Sequence, residues 1–176
     1  MKEYEIRPQE LLEKYIELSV QDAEKYFSND ARKKLPCVAC GSKKTVCDFE
    51  KYNFTYDLCS ECGTLYQTPR PSIDTFELFY HHSNSSKYWA EVFFPAVAEK
   101  RREQIFQPRA ERLTTICKEI DLDVTKIIDV GAGYSIILDE WKKLNPESEV
   151  IAVDPMSSLA NECRRKGFSV VEAIAE

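Results

Sequence analysis

The sequence has no long apolar run, no internal repeat and little glycine. Its longest apolar stretches, such as residues 92–98, are far shorter than the ~20 residues that a membrane-spanning helix needs. Residues 1–5 lack the apolar core of a secretory signal. With five glycines and eight prolines in 176 residues, no low-complexity linker is apparent. We therefore expect a folded cytoplasmic protein that has no membrane partner.

An excess of basic residues is also absent. The 24 lysines and arginines face 30 aspartates and glutamates, so the formal net charge is −6. This balance disfavours non-specific binding to nucleic acid or to an anionic membrane. We therefore expect no nucleic-acid partner. The length allows one ordinary domain, or a small module attached to part of a larger one.

The first 120 residues fall into three segments. Residues 1–35 have helical periodicity over positions 8–28. Residues 36–71 have short β-prone runs, which predict a hairpin of strands 46–49 and 54–58 and a third strand at 65–67. Residues 72–120 indicate helices: Ser72 suits an N-cap for residues 73–80, a polar break follows at 81–86, and Pro95 and Pro108 each restart the helix.

Residues 121–176 alternate strand and helix. The pattern predicts strands at 126–130, 150–153 and 168–171, and helices at 135–144 and 157–166. The first of these strands is a continuous apolar run, which is typical of a buried parallel strand. Together the four segments predict an α/β chain.

Four of the seven cysteines form two tight pairs, Cys37 with Cys40 and Cys59 with Cys62. The spacing C-x2-C, eighteen residues, C-x2-C is that of a zinc site, and an odd number of cysteines argues against a disulfide framework. Four cysteines leave no open position on Zn²⁺, so we expect a structural zinc ribbon. The two residues between the cysteines of a pair let both sulfurs reach one ion. The glycine after each pair permits the tight turn that aims backbone N–H groups at the thiolates.

Two other interpretations of the cysteines remain. They could be ordinary reduced cysteines, or redox pairs, although neither pair opens a helix after a strand. Cys47, Cys117 and Cys163 have no partner at metal spacing, and we expect them to be small buried apolar residues. Aromatic residues alternate through the hairpin with an even balance of charges, which favours packing over nucleic-acid recognition.

A glycine turn follows the strand at 126–130. Asp129, Gly131, Ala132 and Gly133 form it, and Asp154 ends the next strand, 21 residues after Gly133. The glycines let the backbone approach a ligand, and an acid at this place suits a ribose diol. The dinucleotide fingerprint requires a third glycine where this chain has Ile136, and no Walker lysine follows. A structural turn in another kind of α/β domain, such as a dehydrogenase remnant, is the alternative.

The motif resembles the acid-x-Gly-x-Gly-x-Gly motif of class I S-adenosylmethionine-dependent methyltransferases, with Ser135 in place of the last glycine. With the cysteine pairs before it, nearly the whole chain is similar to bacterial members that carry an N-terminal zinc-binding domain, some of which act on nucleotide-linked sugars. The resemblance implies a Rossmann-like domain over residues 121–176. In it Asp129, Gly131, Ala132 and Gly133 would line the methionine end of S-adenosylmethionine, Asp154 would hold the ribose, and Pro155 would border the adenine. Glu176 would lie near the adenine amine.

That family has a sheet of seven strands in the order 3-2-1-4-5-7-6, and this sequence predicts the first three. We therefore expect methyl transfer to a small molecule to need a missing C-terminal half or a complementary chain. We identify no catalytic base. The candidate substrate-facing residues are two histidines, three aromatic residues and three arginines: His81, His82, Tyr80, Tyr88, Trp89, Arg101, Arg102 and Arg109. The simpler explanation is solvation for the histidines, packing for the aromatic residues and ion pairing for the arginines. A zinc-ribbon interaction module without catalysis is the alternative function.

Overall fold

A computed structural model describes residues 2–174 of the chain, as a mixed α/β protein with two small three-stranded sheets. The chain divides into two compact units, Ile16–Ser85 and the remainder on either side of it. Within the described residues no helix has both the length and the apolar character needed to cross a membrane. The boundaries predicted after residues 35, 71 and 120 stay a prediction.

The elements follow the sequence pattern closely. The strands are β1 (Thr45–Lys51), β2 (Phe54–Cys59), β3 (Leu65–Gln67), β4 (Lys126–Val130), β5 (Glu149–Val153) and β6 (Ser169–Val171). The α-helices are α1 (Glu3–Ile6), α2 (Gln9–Phe27), α3 (Ile73–His82), α4 (Asn84–Tyr88), α5 (Phe94–Arg101), α6 (Gln107–Glu119), α7 (Ile136–Leu144) and α8 (Ser157–Arg165). The helix α2 runs through the boundary between the two units.

In the unit Ile16–Ser85, strands β1, β2 and β3 form an antiparallel sheet in sequence order. The turn of the predicted hairpin is made by Tyr52 and Asn53, both with positive φ. The core centres on Phe27 of α2, whose ring centroid lies 5.1 Å from that of Phe54 and 5.2 Å from that of Phe76. The aromatic residues therefore anchor the ribbon to the helices of the same unit.

The predicted N-cap of α3 is confirmed, because Ser72 Oγ accepts a hydrogen bond from the backbone N–H of Thr75 at 3.2 Å. The polar break was predicted too early, since α3 continues through His81 and His82. Both histidines are exposed on that helix. The cause is that the next interruption comes only at Ser83, whose extended backbone ends the helix.

Both predicted proline restarts occur within a nearly continuous helical run. Pro95 lies in the first turn of α5 and Pro108 in the first turn of α6. A five-residue π-helical stretch precedes each of them, Trp89–Phe93 and Arg102–Phe106. Proline has no N–H group, so an α-helix loses one backbone hydrogen bond at each proline. The wider π-helical turns lie just before these two positions.

In the other unit, β4, β5 and β6 form a parallel sheet with β5 in the middle. Helices α7 and α8 cover one face, where Leu138, Trp141, Val150, Ala152 and Cys163 form the buried core. Connections that contain α7 and α8 join the successive parallel strands, as parallel pairing requires.

The prediction that β4 is buried on both faces is wrong. Ile127 packs against the core, but Ile128 is 55% exposed and Val130 57% exposed. The physical reason is that, in the part of the chain that the structure describes, helices cover one face of this sheet. Alternate side chains of a strand point to opposite faces, so half of the apolar run faces outwards.

Candidate metal centre and glycine turn

Two tight turns carry the cysteine pairs. In the first, the N–H of Gly41 donates to the carbonyl of Cys37 at 2.8 Å, and in the second the N–H of Gly63 donates to the carbonyl of Cys59 at 2.9 Å. Gly41 has φ +73° and Gly63 φ +72°, a conformation that strains any residue with a Cβ. The glycine after each pair therefore lets the chain turn back so that both sulfurs face the same point.

The four sulfurs form one cluster. The Sγ atoms of Cys37, Cys40, Cys59 and Cys62 all lie within 4.8 Å of one another. The distance from Cys37 Sγ to Cys62 Sγ is 3.6 Å, as is that from Cys40 Sγ to Cys59 Sγ. Tetrahedral Zn²⁺ with Zn–S bonds of about 2.3 Å sets its sulfurs roughly 3.8 Å apart. The cluster can therefore hold a metal ion such as zinc, as the spacing predicted.

The backbone around the cluster favours thiolates at two positions. The N–H of Cys40 lowers the pKa of Cys37, and the hydroxyl and N–H of Thr64 lower the pKa of Cys62 to about 6. At Cys40 the N–H of Ser42 acts to lower the pKa, but the sulfur of Cys62 and burial outweigh it and raise the pKa to about 12. Such crowding of thiolates is relieved by a divalent cation, which binds the deprotonated form.

The other three cysteines differ in burial. Cys163 is buried, as predicted, and Cys117 is partly buried against the same core. The prediction is wrong for Cys47, which is exposed. Cys47 belongs to β1, an edge strand on which six of the seven residues are exposed. Its position on the sheet edge, and not its residue type, decides its burial.

The glycine turn lies where β4 ends, beside the end of β5. The N–H groups of Gly131 and Ala132 both donate to the carbonyl of Val153, at 2.8 and 3.0 Å. The N–H of Gly133 donates to Asp154 Oδ2 at 2.8 Å. Three consecutive N–H groups of the turn are therefore bound to the end of β5 and its following residue.

Two predicted acids lie at this edge of the sheet. Asp154 is 5% exposed, and its Oδ1 accepts a second backbone hydrogen bond, from Met156 at 2.9 Å. Burial raises the pKa of Asp154, although the N–H groups of Met156 and Gly133 act to lower it. Burial, and then the charge of Asp154, raises the pKa of Asp129. The edge therefore carries partly buried negative charge, which favours a cationic group on a ligand.

The surface of the turn is open to a ligand. A Cβ added to Gly131 or Gly133 would meet no heavy atom within 4 Å, and both have positive φ. Pro155 is partly buried and directly follows Asp154. The structure thus brings Asp129, the glycine turn and Asp154 to one edge, in an arrangement that ligand atoms can approach closely.

Two residues of the turn have roles that sequence reasoning missed. The ring of Tyr134 stacks on that of Phe94 at 4.7 Å with an angle of 3° between the planes, and its hydroxyl donates to the carbonyl of Ala90. Ser135 is buried, and its backbone has the left-handed conformation with φ +52°. Its Oγ lies 2.8 Å from Cys163 Sγ. The aromatic residue inside a glycine motif was the available signal, but its stacking partner lies forty positions earlier.

Some of the remaining candidates have structural roles. Arg102 forms ion pairs with Glu140 and, at 3.3 Å, with Asp139, so ion pairing is confirmed there. The ring of Trp89 stacks on that of Phe93 at 4.6 Å, which supports packing. His81 and His82 lie at the end of α3 in the unit Ile16–Ser85, and both are exposed to solvent.

A cleft of about 360 Å³ lies at the opposite end of the parallel strands from the glycine turn. Its lining includes Val124 and Thr125 just before β4, and Glu147 and Ser148 just before β5. None of the predicted site residues lines it. Ligand-binding residues of parallel α/β sheets gather at the carboxyl ends of the strands, so the glycine turn is the stronger candidate site.

A scan of the chain against protein-family models finds no match, and a search of curated proteins finds none either.

Proposed function

We propose that this chain binds S-adenosylmethionine at the glycine turn, as the cofactor-binding part of a methyltransferase that also carries a structural zinc ribbon. The observation that carries this proposal is that Gly131, Ala132 and Gly133 donate their N–H groups to acceptors within the protein. A loop that cradles phosphate needs such groups free to point at the ligand. This bonding counts against NAD or another pyrophosphate ligand.

The charge of the site supports the same ligand. Asp129 and Asp154 offer negative charge beside an open backbone surface. The sulfonium and ammonium groups of S-adenosylmethionine are positive, whereas a pyrophosphate would be repelled. Asp154 uses one hydrogen bond on each oxygen for the turn, and each carboxylate oxygen has a further lone pair that could accept a ribose hydroxyl.

When bound, S-adenosylmethionine supplies an activated methyl group for transfer to a nucleophile. The role of this chain is to orient that cofactor: the glycine turn and Asp129 would hold its methionine end, Asp154 its ribose, and Pro155 would border its adenine. Positioning of this kind accounts for much of the catalysis of a two-substrate transfer. The acceptor remains the small molecule that the family resemblance implies.

Calorimetric titration of the chain tests this function. We expect heat of binding for S-adenosylmethionine and S-adenosylhomocysteine, and none for NAD. Asp129→Asn should weaken binding about ten-fold, the effect of losing one charged hydrogen bond, while Asp123→Asn, an exposed acid before β4, should leave it unchanged. Preferential binding of NAD, or equal effects of the two substitutions, would contradict the proposal.

A structural zinc ribbon is the second part of the proposal. The four-cysteine cluster supports it, since a site closed by four sulfurs leaves no position for a reacting water. An interaction module without catalysis is the competing function, and exposed apolar side chains of the ribbon favour it: Val46 is 56%, Leu65 45% and Phe49 40% exposed. Retained zinc without any binding of S-adenosylmethionine would favour the interaction module.

A further inference from the structure

The side chain of Arg101, at the end of α5, has two buried nitrogens that lack a partner among the described residues. Its Nε and Nη1 are buried and make no hydrogen bond to any of residues 2–174. The residue as a whole is partly buried. Buried N–H donors are almost always paired, because a buried donor without an acceptor is costly. Arg102, the next residue in the chain, shows the usual outcome through its ion pair with Glu140.

Two aromatic rings hold the guanidinium in place. Arg101 Cζ lies 5.7 Å from the ring centroid of Phe94 and 5.9 Å from that of Phe106. Cation–π contacts at such distances stabilise the positive charge of the guanidinium through its faces. The rings do not accept hydrogen bonds from its N–H groups, because these point outwards in the plane of the guanidinium. The rings therefore position the donors and leave them unbound.

Two other positive charges act on Arg101. Burial, and then the charges of Arg7 and Arg109, lowers the pKa of Arg101. Arg7 has an exposed partner in Glu3, 3.4 Å away. Arg109 is exposed and makes no ion pair within the part of the chain that the structure describes. The charges of Arg7 and Arg109 therefore act against that of Arg101, and an anion bound to Arg101 would offset this repulsion.

A neighbouring amide does not replace such an anion. Gln104 Nε2 donates to Glu5 Oε2 at 2.9 Å, and Gln104 Oε1 is buried without a partner among the described residues. Gln104 itself is neutral, and the carboxylate of Glu5 is not among the charges that act on Arg101. This pair therefore does not offset the charges of Arg7 and Arg109.

We infer that Arg7, Arg101 and Arg109 form a binding site for a phosphate-bearing anion. The planar fork of arginine fits two oxygens of a phosphate, and several arginines share its charge. The stack of Arg101 on Phe94, whose other neighbour is Tyr134 of the glycine turn, connects this site to that turn. The inference does not depend on the binding of S-adenosylmethionine, because none of the three arginines belongs to the glycine turn.

Titration of the whole chain with pyrophosphate tests the site, with sodium chloride at matched ionic strength as the reference. We expect saturable binding and a rise in melting temperature with pyrophosphate alone. Arg101→Met and Arg109→Gln should each weaken binding at least ten-fold, the equivalent of one lost charged hydrogen bond. Arg112→Gln is the matched control, since it removes one exposed charge from the same helix as Arg109 without being a neighbour that acts on Arg101.

Without anion, Arg101→Met should melt at the same temperature as the parent chain or higher, since it removes a repelled charge and keeps an apolar side chain between the two rings. Three results would overturn the inference: no response to pyrophosphate beyond that to chloride, equal weakening by Arg112→Gln and Arg109→Gln, or a lower melting temperature for Arg101→Met with pyrophosphate binding intact. Arg109 is exposed, so its variant keeps the test valid if Arg101→Met fails to fold.

Discussion

The carboxylate of Asp154 accepts a hydrogen bond from the backbone N–H of Gly133, with Oδ2 2.8 Å from the nitrogen. The acid that follows β5 thus holds the turn that follows β4. The same carboxylate accepts the N–H of Met156 through its other oxygen. One buried side chain therefore fixes the geometry of the candidate cofactor site. Asp154 has this structural role before any ligand is bound.

Asp154→Asn should destabilise the unit that contains the parallel sheet. An amide of the same size has one oxygen, so one of the two buried N–H groups loses its acceptor, at a cost of about 1–3 kcal/mol. Urea denaturation measures the free energy of unfolding. Asp123→Asn, which changes the same charge at an exposed position, is the control. Equal stability of Asp154→Asn and the parent chain would show that these hydrogen bonds contribute little.

Asp129→Asn should have the opposite effect at neutral pH. Burial and the charge of Asp154 raise the pKa of Asp129 above its ordinary value of 3.8, so the folded state is penalised once this group is ionised. Its contribution is most favourable below that value and is lost as pH rises through the raised pKa. The variant should therefore be more stable than the parent chain at pH 7.

The measurement for Asp129→Asn is thermal unfolding as a function of pH. The stability difference from the parent chain should be small near pH 4 and grow towards pH 7. A difference that is constant with pH would exclude a titration of Asp129 as its cause. If the variant is more stable and also binds S-adenosylmethionine more weakly, the carboxylate is retained at the expense of stability.

Removal of metal should unfold the ribbon. We expect one zinc per chain by elemental analysis, and a lower melting temperature after chelation, because binding to the four sulfurs contributes directly to folding. Cys59→Ser should lose the metal, while Cys47→Ser, at an exposed cysteine outside the cluster, should keep it. Loss of zinc from both variants, or zinc-free protein with unchanged melting, would refute a zinc ribbon.

Arg102→Gln should destabilise the unit that contains α7. It removes one partner from Glu140, whose side chain is 7% exposed and keeps its ion pair with Lys143, and we expect a loss of about 1–3 kcal/mol. Although burial acts to raise the pKa of Glu140, Lys143 and Arg102 outweigh it and lower the pKa. The stabilisation should therefore be present at neutral pH and disappear as pH falls through that lowered pKa. Arg112→Gln should unfold like the parent chain at every pH.

Substitutions on the open face of the parallel sheet should alter association and not folding. Ile128→Thr with Val130→Thr removes exposed apolar surface and keeps β-branched side chains. We expect less binding of a hydrophobic dye and less concentration-dependent light scattering. Ile127→Thr, one position away on the covered face, should instead lower the free energy of unfolding. Similar behaviour of the two variants would mean that the faces are not distinct.

The fold was predicted in its local parts. Periodicity located the strands and most helices within one or two residues, since each pattern follows from backbone geometry over a short span. The cysteine spacing predicted the cluster because two residues between sulfurs suffice for a knuckle. The predictions that β4 is buried on both faces and that Cys47 is buried were wrong, since burial depends on which elements cover a strand.

The sequence by itself determined where the turns, the cysteine knuckles and the glycine motif occur, because these depend on residues a few positions apart. Tertiary structure alone decided that Asp154 binds Gly133, that Tyr134 stacks on Phe94, and that Arg102 is paired. It also decided that Arg101 is left without a partner in the described chain. Arg101 and Arg102 are adjacent in the chain, yet only Arg102 has a carboxylate partner, because Glu140 of α7 lies 38 positions away in the chain and reaches it through tertiary packing. The two rings beside Arg101 belong to its own helical run.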